Sequence, residues 1–350
     1  MTRLQSVPGL DVRPRSVVQI GEAEVALARG AAENRVVALA GSLPPALRDL
    51  EGETSTIEGR WLRVGPANAA NLAVLQRALP WLAPRPLGLA RSFGFGDRLG
   101  LATPGHIRAL REAGAGLAPI FAQQSIREME RTRRTPSQVL TDACWGVLME
   151  GWRDGFGADA DHLKTPADVD ACLAAGYTFF TFDPGAHVDP SADARPAAEI
   201  SAALDALPWR ELDDSRDGMR QRYRGRSLEL DREALAYDED GIARAAVKYG
   251  RAVAHVAALY RHLRARNRGV EVEISVDETD APTTPVQHAY VATELRRLGV
   301  EWVSLAPRFV GRFEKGVDYI GDPAAFDSDA AIHAAIARRL GPYKLSLHSG

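Results

Sequence analysis

The sequence has few cysteines, few aromatic residues and no long apolar run. Of its 350 residues only 2 are cysteine, Cys144 and Cys172, and their separation fits neither a disulfide framework nor a zinc motif. No apolar run approaches the roughly 18–20 residues that cross a bilayer, and the N-terminus lacks a signal-peptide core. A net charge of -3 gives no general attraction for nucleic acid or anionic membranes. We therefore expect a cytoplasmic protein with neither a nucleic-acid nor a membrane partner.

The residues that are present predict a folded α/β protein with a small mixed α/β unit at its N-terminus, residues 1–86. A hydrophobic content of 45% is ordinary for a globular enzyme, and the length allows two domains or one large barrel with additions. Short apolar segments predict strands at 17–20, 24–28, 35–40 and 61–64. Asn68–Leu79 predicts a helix that Pro80 ends, and the alternating prolines of residues 81–86 predict a linker.

From Leu87 onward, short apolar segments alternate with longer helical ones. Seven strands are predicted, at 87–93, 117–124, 156–163, 177–183, 270–277, 302–308 and 343–348. Helices are predicted between them, at 103–114, 135–151, 165–175, 284–298 and 327–340. Four of these helices begin with Thr-Pro, which places a capping hydroxyl before a proline in the first turn. Repeated strand–helix units predict a parallel sheet, either doubly wound or closed into a barrel.

Polar residues follow almost every predicted strand, and this favours the barrel. A doubly wound sheet concentrates its chemistry at one switch point, whereas a barrel gathers the ends of many strands at one mouth. We therefore predict a TIM-type (β/α)8 barrel over residues 87–350, truncated after the seventh strand because no eighth is found. Residues 189–269 are too many for a connection and predict an insertion after strand four, with a long helix over 240–266. The insertion would serve as a lid or as an oligomer contact.

The segment Gly157–Lys164 places two carboxylates, an imidazole and an ammonium at the end of a predicted strand. Where the strand ends, Asp161 and His162 can face one site, with a neutral imidazole as metal ligand and a carboxylate as proton carrier. The alternative is an ordinary strand end with solvated charges, in which Asp161 caps the following helix. The segment alone does not decide between the two.

The strand predicted at 270–277 alternates cleanly, with Glu273, Ser275 and Asp277 on one face. In a surface sheet, this polar face would simply meet water. In a parallel barrel both faces are covered, so two inward carboxylates indicate a metal or a proton-transfer role.

The last predicted strand alternates in the same way, with Lys344 and His348 on one face. His162 and His348 lie on separate strands, and Glu273 or Asp277 lies between them in sequence. Two imidazoles and one carboxylate form a candidate metal site with open coordination positions.

Two other features bear on ligands. Arg308 ends the sixth predicted strand, where its guanidinium either clamps a substrate carboxylate bidentately or pairs with Asp277 or Glu278. The glycine-rich segment Gly94–Gly100 resembles a dinucleotide loop, but its third glycine comes one residue late and no acidic residue follows at the expected distance. We interpret that segment as a turn.

Taken in order, these motifs resemble the tagaturonate/fructuronate epimerase family of sugar-acid isomerases, from about Ser92 to Gly350. The blocks that carry the resemblance are 94–106, 121–128, 157–164, 275–279 with 282–285, 304–311, 313–321 and 345–350. Asp161-His162 and Leu347–Gly350 are also similar to the Asp-His and His-Gly motifs of class II aldolases, in which aspartate carries a proton and both histidines bind metal. The resemblance implies a divalent-metal-dependent enzyme that interconverts D-tagaturonate and D-fructuronate, and relatives that continue past residue 350.

The chemistry of that conversion limits the mechanism. The two acids differ at C4, whose proton is not acidified by the C2 ketone, so simple enolisation cannot invert it. Transient oxidation by a nicotinamide cofactor or retro-aldol cleavage of the C3–C4 bond remains. The sequence has no convincing dinucleotide motif, which favours the retro-aldol route with a divalent ion (Zn, Mn, Co, Ni or Fe) as Lewis acid.

The motifs and the resemblance together assign a role to each candidate residue. The expected ligand is a hexuronate, and assembly into a homo-oligomer is left open. Alternative functions are a class II-type aldolase or a ketohexose 4-epimerase on the same scaffold, or an inactive scaffold subunit. The candidates are His162, His348 and Glu273 for metal, Asp161, Asp277 and Glu278 for acid–base catalysis, and Arg308, Gln123 and Lys344 for substrate.

Overall fold

The computed structural model describes residues 3–31, 33–231, 234–279, 281–314 and 316–348. Ser349 and Gly350, which end the last block of the resemblance, lie outside the described residues, as does Lys315 in the block 313–321. Helices α1 to α10 span Ala69–Ala78, Thr103–Ala113, Ile126–Thr132, Pro136–Glu150, Pro166–Ala175, Ala197–Asp205, Arg216–Tyr223, Glu239–Arg264, Pro285–Arg297 and Pro323–Leu340. Strands β1 to β16 span Asp11–Val12, Val18–Ile20, Ala23–Arg29, Asn34–Ala40, Glu53–Ile57, Arg60–Pro66, Ser92–Gly94, Ala118–Ile120, Gln124–Ser125, Asp159–Leu163, Phe179–Phe182, Ser227–Glu229, Ala234–Ala236, Glu271–Ser275, Ser304–Ala306 and Lys344–Leu345.

The chain forms two compact units. The first comprises the residues up to Asp161 together with Ala171–Phe179, and the second comprises His162–Asp170 and the residues from Phe180 onward. The predicted domain boundary at residue 86 and the predicted insertion over 189–269 stay predictions.

An antiparallel sheet forms the N-terminal part of the first unit. Its strand order is β1-β3-β4-β6-β5, with β2 also paired to β3. All four strands predicted for this region are present, as β2, β3, β4 and β6, and α1 confirms the predicted helix. Because side chains alternate along a strand, one face of the sheet is apolar. Its core cluster consists of Leu4, Val7, Val12, Ala26, Ala28, Val37, Leu39 and Leu62.

Threonine caps begin three helices, as the sequence predicts. Thr135 before α4 and Thr284 before α9 each accept the N–H of the third helical residue, a glutamine whose side chain accepts the threonine N–H in return. Thr165 accepts a backbone N–H in the first turn of α5. These starts are readable from sequence because capping depends on residues that are adjacent in the chain.

The predicted cap at Thr103 is wrong, because Thr103 lies inside α2. The carboxylate of Asp97 caps this helix instead and accepts the backbone N–H groups of residues 99–103. Burial raises the pKa of Asp97, but these hydrogen bonds outweigh it and leave the pKa below its usual value. The turn predicted for Gly94–Gly100 is therefore built around an ionised aspartate in the first unit.

A parallel sheet has the strand order β16-β15-β14-β11-β10-β9, and its strands β14, β15 and β16 belong entirely to the second unit. Strands β14, β15 and β16 pair in parallel, so that Glu273 lies opposite Ser304 and Ser304 lies opposite Lys344. Glu273 is 4% exposed and Ser275 is 1% exposed, so the polar face of β14 is covered. The surface-sheet alternative for this strand is therefore wrong.

Residues 189–269 contain α6, α7, the antiparallel pair β12–β13 and the 26-residue helix α8. The helix predicted at 240–266 is confirmed, as α8. Helix α8 packs along α9. Its buried face is mostly alanine, valine and leucine, and it includes one fully buried lysine, Lys248.

The structure is a mixed α/β protein with ten helices and a parallel sheet among its described residues. Each of the seven strands predicted after residue 86 has a counterpart, namely β7, β8, β10, β11, β14, β15 and β16. A closed barrel is not found in the described part of the chain, so the predicted (β/α)8 barrel is not confirmed. None of the described helices is both long enough and apolar enough to span a membrane.

Candidate metal centre

Three segments of the second unit bring polar side chains to one edge of its sheet. His162 is the fourth residue of β10, Asp277 follows β14 by two residues, and His348 follows β16 by three. In the parallel set, Ser275 pairs with Ala306 and Leu305 with Leu345, so these strands end at the same level. The carboxyl ends of parallel strands are where α/β proteins bind their ligands.

His162, Asp277 and His348 form a group that could hold a metal ion. Each offers one ligand atom, these atoms lie within 4.8 Å of one another, and all three residues are partly buried. The two imidazole ring centres are 5.2 Å apart. Two nitrogens and one carboxylate oxygen, with positions left for substrate or water, suit zinc and other first-row divalent ions.

Glu273 orients His348 from a position inside β14, farther from the carboxyl ends of the strands than Asp277. The Nε2 of His348 donates to Oε1 of Glu273 at 2.8 Å, and the Thr181 hydroxyl donates to the same oxygen at 3.3 Å. The other ring nitrogen of His348, Nδ1, lies 3.5 Å from Oδ1 of Asp277. Among the described residues, this buried Nδ1 has no hydrogen-bond partner. A histidine that donates one nitrogen to a carboxylate and frees the other is the usual arrangement of a metal-binding imidazole, so the residues fit the group.

The charges around His348 favour a cation. Burial lowers the pKa of His348, but the neighbouring carboxylates of Asp277 and Glu273 outweigh it and raise the pKa to about 12. Burial raises the pKa of both carboxyl groups, yet the same contacts leave the pKa of Glu273 and of Asp277 below its usual value. Two carboxylates that remain ionised in a buried place stabilise positive charge there, which is the electrostatic condition for binding a metal ion.

A second set of charges lies beside this group. Oε1 of Glu278 is 3.7 Å from Nε2 of His162, and Oε2 of Glu278 is 4.0 Å from Nζ of Lys164. Lys164 is held by Asp183, whose buried carboxylate lies 2.9 Å from Nζ. The Asp183 carboxylate also accepts the N–H of Gly185 at 2.7 Å. Glu278 is therefore an accessible carboxylate between an imidazole and an ammonium, which suits an acid or a base.

The local backbone at His162 departs from an ordinary strand. Its φ is +56°, in the left-handed region that few residues other than glycine and asparagine adopt. The alternation of side chains along β10 therefore ends at this residue.

Two of the predicted substrate ligands, Arg308 and Lys344, lie in the second unit. Arg308 follows β15, and in the part of the chain that the structure describes its guanidinium has no ion-pair partner, so the alternative pairing with Asp277 or Glu278 is not formed. Lys344 lies farther from the carboxyl ends of the strands than Arg308, because Lys344 and Glu273 both pair with Ser304 of β15. The role of each residue stays a prediction.

Asp161 and Gln123 belong to the first unit. Asp161 is buried in β10 and pairs in register with Ser125 of β9, and Gln123 directly precedes β9. Their assigned roles, proton carrier and substrate ligand, stay predictions.

Two features were not settled at the level of sequence. The sequence left Glu273 or Asp277 as the carboxylate beside the two histidines and assigned Glu273 to the metal, whereas Asp277 joins them. Lys164 pairs with Asp183 across two strands. The first had a signal, because Asp277 shares a strand face with Glu273 and lies closer to the strand end. The second had none, because the partners are brought together only by the pairing of strands.

Replacing Glu273 by glutamine is expected to weaken divalent-metal binding about 10- to 100-fold, since the amide cannot hold His348 with the strength of a carboxylate. Titration of the purified chain with Mn²⁺ against a chelator measures this. Glu271→Gln, on the same face of β14 but two residues farther from its carboxyl end, is the matched control and should bind as the unaltered chain does. Equal affinities for all three proteins would contradict the assignment.

The fold and the site define an α/β protein with a candidate metal centre at the carboxyl ends of a parallel sheet. Comparison with known proteins narrows this class. The family model described as "UxaE: tagaturonate epimerase" matches residues 13–350. The chain belongs to the tagaturonate epimerase family.

Individual relatives agree with this membership. The tagaturonate/fructuronate epimerase of Thermotoga maritima is 45% identical over 283 residues, which cover 81% of this chain and 57% of that protein. The native crystal structure of fructuronate-tagaturonate epimerase UxaE from Cohnella laeviribosi is 36% identical, with a TM-score of 0.88, over 98% of this chain and 68% of that one. A glycerol complex of the same enzyme is 35% identical, with a TM-score of 0.88, over 97% and 67%. The chain thus spans a little over half the length of the curated relative that it matches.

Proposed function

We propose that this chain carries the epimerase activity named for its relatives, the interconversion of D-tagaturonate and D-fructuronate, and that it does so with a divalent metal ion. Family membership along nearly the whole chain supports the substrate. The observation that supports the metal is the group of His162, Asp277 and His348, with Nε2 of His348 held 2.8 Å from Oε1 of Glu273. No other group of three potential metal ligands occurs among the described residues.

We propose a retro-aldol route, because inversion at C4 requires that a bond to C4 be broken. A base takes the proton of the C4 hydroxyl, the C3–C4 bond breaks, and its electrons pass to the C2 ketone as an enediolate. The other product is a three-carbon aldehyde that keeps the carboxylate. Rotation of this aldehyde, re-addition of C3 to its other face and return of the proton give the epimer, so no atom or electron is gained or lost.

The side chains of the second unit divide this work. A divalent ion, when bound, supplies a Lewis acid for the substrate oxygen that becomes negative. Glu278 is the accessible carboxylate beside the group and would move the C4 hydroxyl proton. Arg308, with no ion-pair partner among the described residues, would hold the substrate carboxylate in a bidentate manner. Asp161 as proton carrier and Gln123 and Lys344 as substrate ligands remain our sequence-based assignments.

We also propose that the sheet is part of a (β/α)8 barrel. Seven strands follow one another in sequence with helices between them, and the sheet places β10, β11, β14, β15 and β16 side by side in their sequence order. Consecutive neighbours of this kind are what a barrel requires, whereas a doubly wound sheet reverses its order at a switch point.

The function is tested by incubating the purified chain with D-tagaturonate and each of Zn²⁺, Mn²⁺, Co²⁺, Ni²⁺ and Fe²⁺ after chelator treatment. We expect D-fructuronate to form only with metal, without added nicotinamide, and without solvent deuterium at C4 in D₂O. Deuterium at C4 would rule out the retro-aldol route. Net release of the three-carbon aldehyde would identify an aldolase, preference for neutral ketohexoses would identify the other alternative, and no turnover with any ion would indicate a scaffold subunit.

Arg308→Lys is expected to raise the KM for the uronate about 10- to 100-fold, because a lysine makes one charged hydrogen bond where the guanidinium makes two. The turnover of a neutral ketohexose, if measurable, should not change, since it has no carboxylate to bind. Arg312→Lys, on an exposed side chain in the same loop, is the control. An unchanged KM for the uronate in Arg308→Lys would place the carboxylate elsewhere.

A further inference from the structure

An ion pair between a buried lysine and a partly exposed aspartate joins α8 to the two segments that follow β11 and β14. Lys248, in the middle of α8, is fully buried, and its Nζ lies 2.6 Å from Oδ2 of Asp193 and 3.2 Å from Oε1 of Gln287. The amide of Gln287 donates in turn to Oδ1 of Asp193 at 2.7 Å. These three side chains, here called the α8 clamp, close a ring of hydrogen bonds inside the second unit.

A lysine at this place needs a reason. Its neighbours on the buried face of α8, Val247 and Ala252 among them, are apolar, and an apolar side chain here would avoid the cost of desolvating an ammonium. Buried ion pairs add little net stability compared with apolar residues of the same shape, but they can select a single arrangement of the segments they join. The α8 clamp joins three segments that are far apart in sequence.

The clamp fixes the beginning of α9. Gln287 is the residue that also closes the capping box of this helix, since its Oε1 accepts the N–H of Thr284 at 3.1 Å. Thr283, which precedes Thr284, is 1% exposed. Its hydroxyl lies 3.3 Å from the hydroxyl of Tyr249, the neighbour of Lys248 on α8. Helix α8 therefore holds the start of α9 through two adjacent side chains.

The same residues fix the segment that carries Arg308. The N–H of Thr283 donates to the carbonyl of Arg308 at 2.8 Å, and the N–H of Arg308 donates to the Thr283 hydroxyl at 3.0 Å. Residues 276–279, which include Asp277 and Glu278, thus lie between β14 and the contacts that tie Thr283 to α8 and to the end of β15. A short loop tied at both ends has few conformations available to its side chains.

We propose that Lys248, through Asp193 and Gln287, is a positioning residue of the candidate metal centre: it sets the loop that presents Asp277 and Glu278. The presence of a metal in this inference rests on the proposed function. The way in which Lys248 acts on the loop rests on the contacts within the second unit. It assigns a task to α8, which otherwise contributes no side chain to the group of His162, Asp277 and His348.

The test compares three variants. Lys248→Met removes the charge and keeps an apolar chain of similar length, and Gln287→Leu breaks the link to α9 while leaving Lys248 paired with Asp193. Arg222→Met is the control, because it removes a partly buried arginine that pairs with Glu294 in the same unit but outside the clamp. We expect the first two variants to bind Mn²⁺ at least about 10-fold more weakly and to exchange the amide hydrogens of residues 276–279 faster. Arg222→Met should lose stability and bind Mn²⁺ as the unaltered chain does.

The outcomes separate the inference from the proposed function. If Lys248→Met and Gln287→Leu lower the melting temperature but leave Mn²⁺ affinity and exchange of residues 276–279 unchanged, the clamp serves stability alone and the inference is overturned. Should Lys248→Met not fold, Gln287→Leu decides in the same way. If the unaltered chain binds no Mn²⁺, the metal centre itself fails, while the exchange rates still show whether the clamp holds the loop.

Discussion

Replacing His348 by alanine is expected to abolish tight metal binding and to reduce epimerisation by more than about 100-fold. Mutating a residue that only hydrogen-bonds to a metal ligand typically lowers metal affinity or activity about 10- to 100-fold, and losing the ligand itself should cost more. One of the three ligands is lost. The carboxylate of Glu273 is also left in a buried place without the imidazole that it holds at 2.8 Å. An unpaired buried charge destabilises a protein by roughly 3–5 kcal/mol, so this variant should also unfold more easily.

His162→Ala separates these two effects. Its imidazole is a member of the same group, but its carboxylate neighbour, Glu278, is exposed and lies 3.7 Å away. We therefore expect a comparable loss of metal and activity with little loss of stability. Metal content by mass spectrometry, activity and thermal melting of both variants distinguish the cases. Full metal content in either variant would refute the proposed centre.

Acid is expected to destabilise the second unit through His288. This residue is fully buried in α9, with its Nδ1 2.8 Å from Nδ1 of His333 and its Nε2 2.8 Å from the hydroxyl of Tyr343. Burial first, and then the neighbouring His333, hold the pKa of His288 well below its ordinary value of 6.5. The folded chain therefore keeps His288 neutral at a pH where the unfolded chain takes up a proton.

The sign and size of the effect follow from this difference. Below about pH 6.5 the unfolded state binds one more proton, so the free energy of unfolding falls by about 1.4 kcal/mol for each further pH unit until the folded pKa is reached. His348 affects stability over a different pH range. Because its pKa in the folded chain is about 12, its contribution to the free energy of unfolding is fully present below about pH 6.5 and is lost as the pH rises toward 12. It adds no slope on the acid side.

Urea unfolding between about pH 5 and about pH 7.5 measures this slope. His288→Gln, which keeps a polar side chain but cannot titrate, should flatten the decline below pH 6.5 by up to about 1.4 kcal/mol per unit. Tyr343→Phe is the matched variant, since it removes a hydroxyl from the same contact and leaves both imidazoles in place. It should be less stable overall and should keep the steep decline. Identical slopes for His288→Gln and the unaltered chain would contradict the prediction.

The order of strands and helices was predictable because it depends on local pattern. The alternation at 270–277 and the Thr-Pro starts of α4, α5 and α9 are written in adjacent residues. The elements that were missed lack such a signal. Strand β5 is almost wholly exposed and has no apolar alternation, and α7 lies in a stretch dominated by arginine and aspartate. Tertiary contacts, which the local pattern does not contain, decide these elements.

The candidate site was predictable in its members and not in their arrangement. His162 and His348 could be named because each lies at a strand end. The choice between Glu273 and Asp277 depends on their position along the strand. Glu273 lies inside β14 opposite Ser304 and contacts the side of His348 that faces the strand, whereas Asp277 lies beyond the strand end. A period of two places both on one face, and sequence order puts Asp277 nearer the strand end, but neither shows which of the two stands level with the histidines. Strand pairing and register supply the missing coordinate.

The left-handed backbone of His162 has a consequence for how this protein evolves. A φ of +56° is unfavourable for a histidine by roughly 1 kcal/mol or more, whereas glycine and asparagine adopt it readily. A lineage selected for stability alone would therefore drift away from histidine at this position. Glycine or asparagine at this position would relieve the strain and remove the imidazole, so stability and metal binding make opposite demands on one residue.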